Sequence, residues 1–155
     1  MNSLDCLKND LIKLYKTHNK HIDEIHKLLE NYSGEDWKEY IKINEKSYNR
    51  HVYYNSKEFD MIIITWAGGN QCKIHNHPDN GCSVKVLDGD VIEERFNTKT
   101  FEKISENHHY KNDILYIDDS LAYHRMCNKN REACVTLHIY SPGFYIPTFY
   151  DKVKE

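Results

Sequence analysis

The stretch "GGNQCKIHNHPDNGCSVKVLDG", Gly68 to Gly89, decides the fold. A glycine pair opens it, two histidines one residue apart follow, and an apolar run closes on a second glycine turn. On an extended chain residues i and i+2 project to one face. His75 and His77 are therefore expected to aim together, plausibly into the interior of a barrel. A lone HxH pair is weak evidence for a metal, because a polar strand face produces the same pattern. A third histidine from a distant strand would complete a site. His124, in "DDSLAYHRMCN", is best placed because it lies between two apparent strands. Cys82, five positions after His77, reads either as a further ligand or as a packed thiol.

Outward from this stretch the pattern after residue 45 is β-rich. "FDMIIITWAGG", "CSVKVLDGDVIEERF", "NDILYIDD" and "ACVTLHIYSPG" are short runs separated by Gly, Asn and Asp. Several short strands with turn signals and no helical period between them argue a sandwich or closed barrel. Before residue 45, Leu4, Leu7, Leu11 and Leu14 recur at helical spacing, as do Ile22, Ile25, Leu28, Leu29 and Tyr32. "EDWKEYI" gives a short third helical face. The expected organisation is a single domain over 1–155, with a helical cap over 1–43 and a β-barrel over 45–150. His18, His21 and His26 read as solvated helix histidines, and His108–His109 as part of a polar loop.

Composition narrows the function classes. A chain of 155 residues buries roughly 68–70% of its unfolded surface, enough for one real core. The net charge of -3 with 21 basic residues, and no Lys/Arg stripe, gives no electrostatic case for nucleic acid. No apolar run approaches the roughly 20 residues of a membrane span, and Asp5, Lys8 and Asp10 interrupt the start as they would not in a signal peptide. Five cysteines without a CxxC read as reduced thiols in a cytoplasmic protein. A monomer is expected.

The spacing Gly69, five residues, His75-Asn76-His77, four residues, Cys82, six residues, Gly89 matches the first cupin motif, with Cys82 where glutamate ordinarily stands. The second motif survives in part, as His124 and Asn128; Asp113, Asp119 and Leu121 replace its glycine, proline and glycine. The segments "YNRH", "IHNHPDNGC", "DDSLAYHRM" and "TLHIYSP" resemble, in order and approximate spacing, those of the cysteine dioxygenase family of cupin thiol dioxygenases. The resemblance runs over most of the chain. It implies a mainly β, jelly-roll-like cupin barrel or sandwich with a short N-terminal helical cap.

The resemblance also implies roles. His75, His77 and His124 would hold one iron(II), and three neutral imidazoles would leave the metal its full charge, unlike a two-His-one-carboxylate site. Arg50 would clamp the substrate carboxylate through its planar fork, assisted by Tyr48. Family members preferring mercaptopropionate usually carry glutamine in place of this arginine. Thr136, His138 and Tyr140 alternate, so a strand aligns them; on the resemblance Tyr140 lies near the iron, oriented by His138 with Thr136 behind. Trp66 would pack behind the site, and Ser141–Pro142 would be cis, although Gly143 replaces a second proline often found there. Cys82 would be joined through sulfur to Tyr140. The implied reaction is oxidation of L-cysteine by O2 to cysteine sulfinic acid, in cysteine catabolism. The alternatives are a dioxygenase for 3-mercaptopropionate or another small thiol, and a non-catalytic metal cupin that senses thiols.

Overall fold

The computed structural model describes residues 2–17 and 20–151; His18 lies outside them. Helix α1 spans Leu4–Tyr15 and α2 spans Ile22–Asn31, followed by a 3-10 turn over Asp36–Tyr40. The apolar spacing becomes the buried stripe Leu4, Leu7, Leu11 and Tyr15. The Ser3 side chain caps α1 by accepting from Cys6 N at 3.0 Å, and the Asp36 carboxylate accepts from Leu4 N at 2.8 Å. Both bonds satisfy amides that a helix start leaves unpaired. No helix among the described residues is long and apolar enough to cross a membrane.

Ten strands follow: β1 (Asn49–Asn55), β2 (Asp60–Trp66), β3 (Ile74–His75), β4 (Cys82–Asp88), β5 (Val91–Phe96), β6 (Lys103–His109), β7 (Ile114–Ile117), β8 (Tyr123–Cys127), β9 (Cys134–Tyr140) and β10 (Phe149–Tyr150). They form two five-stranded antiparallel sheets, ordered β1-β2-β9-β4-β7 and β10-β3-β8-β5-β6. The architecture is a mainly β, jelly-roll-like sandwich; the sheets do not close into one continuous barrel.

The central strands of the first sheet are buried on both faces. One face of β2 and β9, carrying Met61, Ile63, Val135, Leu137 and Ile139, packs against Leu4, Leu7, Leu11 and Leu29 of the helices. The alternate residues Ile62, Ile64 and Trp66 join Val84 and Val86 inside the sandwich. Each such aliphatic side chain contributes roughly 1.5–3 kcal/mol when fully buried. The helices therefore lie on the outer face of the first sheet, where they remove it from water. Lys85 ties them down: its Nζ donates to Leu29 O at 2.7 Å and to Tyr32 O at 2.6 Å, placing a cation against the carbonyl end of α2.

Four features differ from the sequence expectation. His21, read as solvated, is buried at the start of α2. His124 lies on strand β8 rather than between strands. His108–His109 ends strand β6 rather than lying in a loop; β6 is an edge strand with mostly exposed residues, so it needs no apolar alternation. Strand β3 holds only Ile74 and His75, so His77 stands outside the pleat that was expected to aim it.

Candidate metal centre

His75 and His124 face each other across neighbouring antiparallel strands, as a directly paired set in the β3–β8 register. His77 joins them by another route. Its backbone N–H donates to Asp119 Oδ1 at 2.8 Å, and its Nδ1 lies 3.1 Å from the same oxygen. All three histidines are buried, and one nitrogen from each falls within 4.8 Å of the others.

The hydrogen bonds behind the rings fix which nitrogen faces inward. His75 Nδ1 lies 2.9 Å from the Lys73 carbonyl, which can only accept. His124 Nδ1 lies 2.7 Å from Glu93 Oε2, and His77 Nδ1 faces Asp119. Each Nδ1 is therefore the donor, and each Nε2 presents a bare lone pair. Among the described residues His77 Nε2 is buried without a partner. His75 Nε2 and His124 Nε2 stand 3.1 Å apart, two lone pairs with no proton between them. Three convergent acceptors without a donor are unfavourable in a dry site unless a cation occupies the point they share. The donor set thus fits a metal ion held by His75, His77 and His124. Burial and the neighbouring imidazoles hold His75 well below the usual histidine range. Burial likewise brings His77 down to about 4, so His75 and His77 stay neutral at physiological pH.

Beside the histidines lies a small pocket lined by Tyr48, Arg50, Trp66, Cys72, His138 and Tyr140. Arg50 is exposed on β1, and among the described residues no carboxylate pairs with it. Among the described residues the surface ion pair expected of an average arginine is absent, and the guanidinium lines the pocket. Tyr48 stacks on Trp66 with ring centroids 4.9 Å apart.

Thr136, His138 and Tyr140 share the interior face of β9 and form a hydrogen-bonded relay. The Trp66 indole can only donate, and its Nε1 donates to Thr136 Oγ1 at 2.9 Å. Thr136 Oγ1 also lies 2.7 Å from His138 Nε2. With Thr136 as the donor of that bond, His138 Nδ1 carries the ring proton and donates to the Tyr140 oxygen at 3.2 Å. Burial holds His138 well below its ordinary range, so the ring is neutral as this polarity requires. The Tyr140 hydroxyl keeps its own proton for another acceptor. Burial, with the Cys82 thiol beside it, raises the phenol well above the usual tyrosine range.

Cys82 is not among the clustered metal donors. It is buried and stands directly opposite Tyr140 in the β4–β9 register, with its Sγ 3.9 Å from His138 Nδ1. Gly81 before it has φ +82°, and a Cβ there would lie 2.4 Å from the Tyr116 hydroxyl, so only glycine fits. The Ser141–Pro142 peptide that follows Tyr140 is cis.

Several residues at the site carried no sequence signal of their own. Glu93 and Asp119 stand behind two of the histidines; an acidic residue inside an alternating strand was the only trace of Glu93. His109 reaches Glu93 Oε1 at 3.4 Å. Asn76, between the two motif histidines, pins the segment that closes the pocket. Its Oδ1 accepts from Thr148 N at 2.8 Å and from the Tyr145 hydroxyl, and its backbone N–H donates to Thr148 O at 3.3 Å. This strap places Pro147 and Phe149 along the pocket wall.

Comparison with known proteins agrees with this geometry. The family model described as "Cysteine dioxygenase type I" matches residues 2–153. A protein named "Cysteine dioxygenase type 1" from Rattus norvegicus is 33% identical over 143 residues, covering 86% of this chain and 72% of that one. Among solved structures, a protein with a double-stranded beta-helix domain from Klebsiella pneumoniae superposes with a TM-score of 0.64 at 17% identity, over 77% of this chain and 98% of its own. A cupin superfamily protein from Desulfitobacterium hafniense gives 0.53 at 14% identity, over 65% and 83%; these two likenesses concern the fold. The chain belongs to the cysteine dioxygenase type I family.

Proposed function

We propose that the protein is an iron(II) dioxygenase that converts L-cysteine and O2 to L-cysteine sulfinic acid. The observation that carries this reading is the set of three donorless Nε2 atoms beside an arginine that pairs with no carboxylate among the described residues. His75, His77 and His124 would hold the iron. When bound, the metal supplies a Lewis acid that favours the thiolate of a substrate whose free thiol has a pKa of about 8.5, and a place where that sulfur and O2 can meet. Both atoms of O2 end on sulfur, so no external reductant is consumed.

The chain's own residues position the substrate. Arg50 offers its two-pronged guanidinium to the α-carboxylate, and Tyr48 walls the same side. The Trp66–Thr136–His138 relay holds the Tyr140 oxygen in place and leaves its O–H to donate. Pro147 and Phe149 exclude water from above. A carboxylate-bearing thiol is favoured over cysteamine, which offers Arg50 nothing to bind. Five free cysteines suit the reducing cytoplasm.

Cys82 and Tyr140 supply a second element of this proposal, a thioether between Sγ and the tyrosine ring. The S–C bond replaces the thiol S–H and one ring C–H. Two electrons and two protons pass to O2, the oxidant of the main reaction. Intact mass lower by two hydrogens, localised to a branched Cys82–Tyr140 peptide after turnover, is the expected result; two separate unmodified peptides would remove the crosslink from the proposal.

The main test is anaerobic iron(II) loading followed by oxygen uptake with cysteine, 3-mercaptopropionate and cysteamine. Uptake with cysteine matched by sulfinate is expected. Oxygen consumption only with 3-mercaptopropionate would reassign the substrate, and none with any thiol would leave a metal-binding cupin.

A further inference from the structure

Glu93 is fully buried on β5 and sits diagonally across from His124 in the β5–β8 register. Its two oxygens are divided between different partners. Oε2 faces His124 Nδ1 at 2.7 Å. Oε1 accepts from Arg95 Nε at 3.0 Å and lies 3.4 Å from His109 Nε2. Arg95 is itself anchored across the sandwich, where its Nη2 donates to Tyr116 O at 2.7 Å.

We propose that Glu93 and Arg95 are a positioning pair that fixes which nitrogen of His124 is free to bind metal. This rests on the proposed metal site, and it concerns how that site is kept ready. His75 is fixed by a main-chain carbonyl, and His77 by an Asp119 oxygen that its own backbone N–H pins as an acceptor. The Lys73 carbonyl behind His75 cannot donate, and the oxygen behind His77 already accepts that residue's own backbone N–H. His124 has only a side chain behind it, so its tautomer depends on what Glu93 presents. A guanidinium is donor-only. While it occupies Oε1, Oε2 is the oxygen left to accept from His124 Nδ1, which leaves the lone pair on Nε2.

This polarity makes opposite predictions for two chemically identical substitutions. In Glu93→Gln the amide oxygen must face Arg95, because an NH2 there would meet a donor. The NH2 then falls against His124 Nδ1, draws its lone pair, and sends the ring proton to Nε2, where metal must bind. In Asp119→Asn a single oxygen already serves both His77 N–H and Nδ1–H. The amide oxygen can take that place, with its NH2 turned to solvent at a side chain 41% exposed. The first substitution should block its histidine, and the second should not.

The experiment is anaerobic iron(II) titration of the full chain against a chelator, for wild type, E93Q, D119N, R95M and E93Q/R95M. It is paired with nitrogen chemical shifts of metal-free, 15N-histidine-labelled protein. E93Q should lose about 10–100-fold in iron affinity, while D119N stays within a few-fold of wild type. E93Q/R95M should recover most of the loss, because without Arg95 the amide can turn its oxygen to His124. The shifts should place the His124 proton on Nδ1 in wild type and on Nε2 in E93Q. Equal losses in E93Q and D119N would mean that charge alone matters and would overturn the proposal, as would no recovery in the double variant. A wild-type His124 protonated on Nε2 would overturn it even if E93Q does not fold. Wild-type protein that binds no iron would defeat the proposed function instead, with the nitrogen shifts still deciding the tautomer question.

Discussion

Thr136→Val tests the relay behind Tyr140 at its most constrained point. The Thr136 side chain is fully buried, and its hydroxyl both accepts from Trp66 Nε1 and bonds to His138 Nε2. Valine matches the shape but removes both bonds, stranding an indole N–H and an imidazole nitrogen in a dry interior. Each stranded group costs about 1–3 kcal/mol, so the pair should cost roughly 2–6 kcal/mol. For a chain of this length roughly 2–4 °C is lost per kcal/mol, which places the fall in Tm at roughly 4–24 °C. Thr136→Ser keeps the hydroxyl and loses one methyl, so it should cost only about 1 kcal/mol. Denaturant unfolding of the metal-free protein gives both numbers. The polarity argument adds a kinetic readout. Without the Thr136 donor, His138 can carry its proton on Nε2 and accept from Tyr140, which reverses the relay. The iron-loaded valine variant should therefore lose kcat with little change in KM, and serine should restore it. A valine variant within about 0.5 kcal/mol of wild type, inside the range of an ordinary surface change, would refute the reasoning.

Arg50→Ala should raise KM for cysteine by about 10–100-fold, the discrimination of one charge-assisted pair worth about 1.4–2.7 kcal/mol at an exposed rim. Any turnover of cysteamine should be unaffected; unchanged cysteine kinetics would sink the substrate pose. Asn76→Ala removes two acceptor bonds from the strap, worth about 2 kcal/mol together, so exchange of the Thr148 amide should quicken by about 30-fold while β9 amides hold. Equal protection of Thr148 in both proteins would show that Asn76 does not pin the strap. Burial pushes the Cys72 and Cys134 thiols up to about 12, far from the thiolate form at neutral pH. A thiol-alkylating reagent at about pH 8 should therefore label the partly exposed Cys6 and spare both until the protein is unfolded; native labelling of Cys134 would contradict its burial.

Much of this architecture was legible because periodicity and chemistry coincide in the sequence. Strand β9 alternates Val135, Leu137 and Ile139 with Thr136, His138 and Tyr140, and both faces find their partners: the helices on one side, the pocket on the other. The leucine stripe of α1 likewise writes its own packing. What stayed hidden were residues whose roles depend on registers that no local pattern specifies. Glu93 matters because β5 pairs with β8 so that it lies diagonal to His124. Asp119 matters because a turn brings it 42 residues back to His77. The HxH pair was read through strand alternation, yet only His75 lies in a strand. His77 converges on the site because Asp119 holds both its backbone and its ring.

The position of the carboxylates bears on why Cys82 can stand where a cupin usually places a glutamate. A carboxylate that ligates a metal offsets part of its charge directly. Glu93 stands one imidazole further out, and the Arg95 guanidinium at its other oxygen cancels most of its long-range field. Asp119 is partly exposed, so solvent screens it. Neither can replace a ligating carboxylate electrostatically, because Coulomb attraction weakens with both separation and dielectric. What they retain is direction: each accepts one imidazole proton and turns one lone pair inward. The site thus keeps three oriented nitrogen donors and leaves the charge balance open for an anionic substrate. The contrast between E93Q and D119N separates these two functions of a carboxylate, since both substitutions remove a charge but only one should reverse a hydrogen bond.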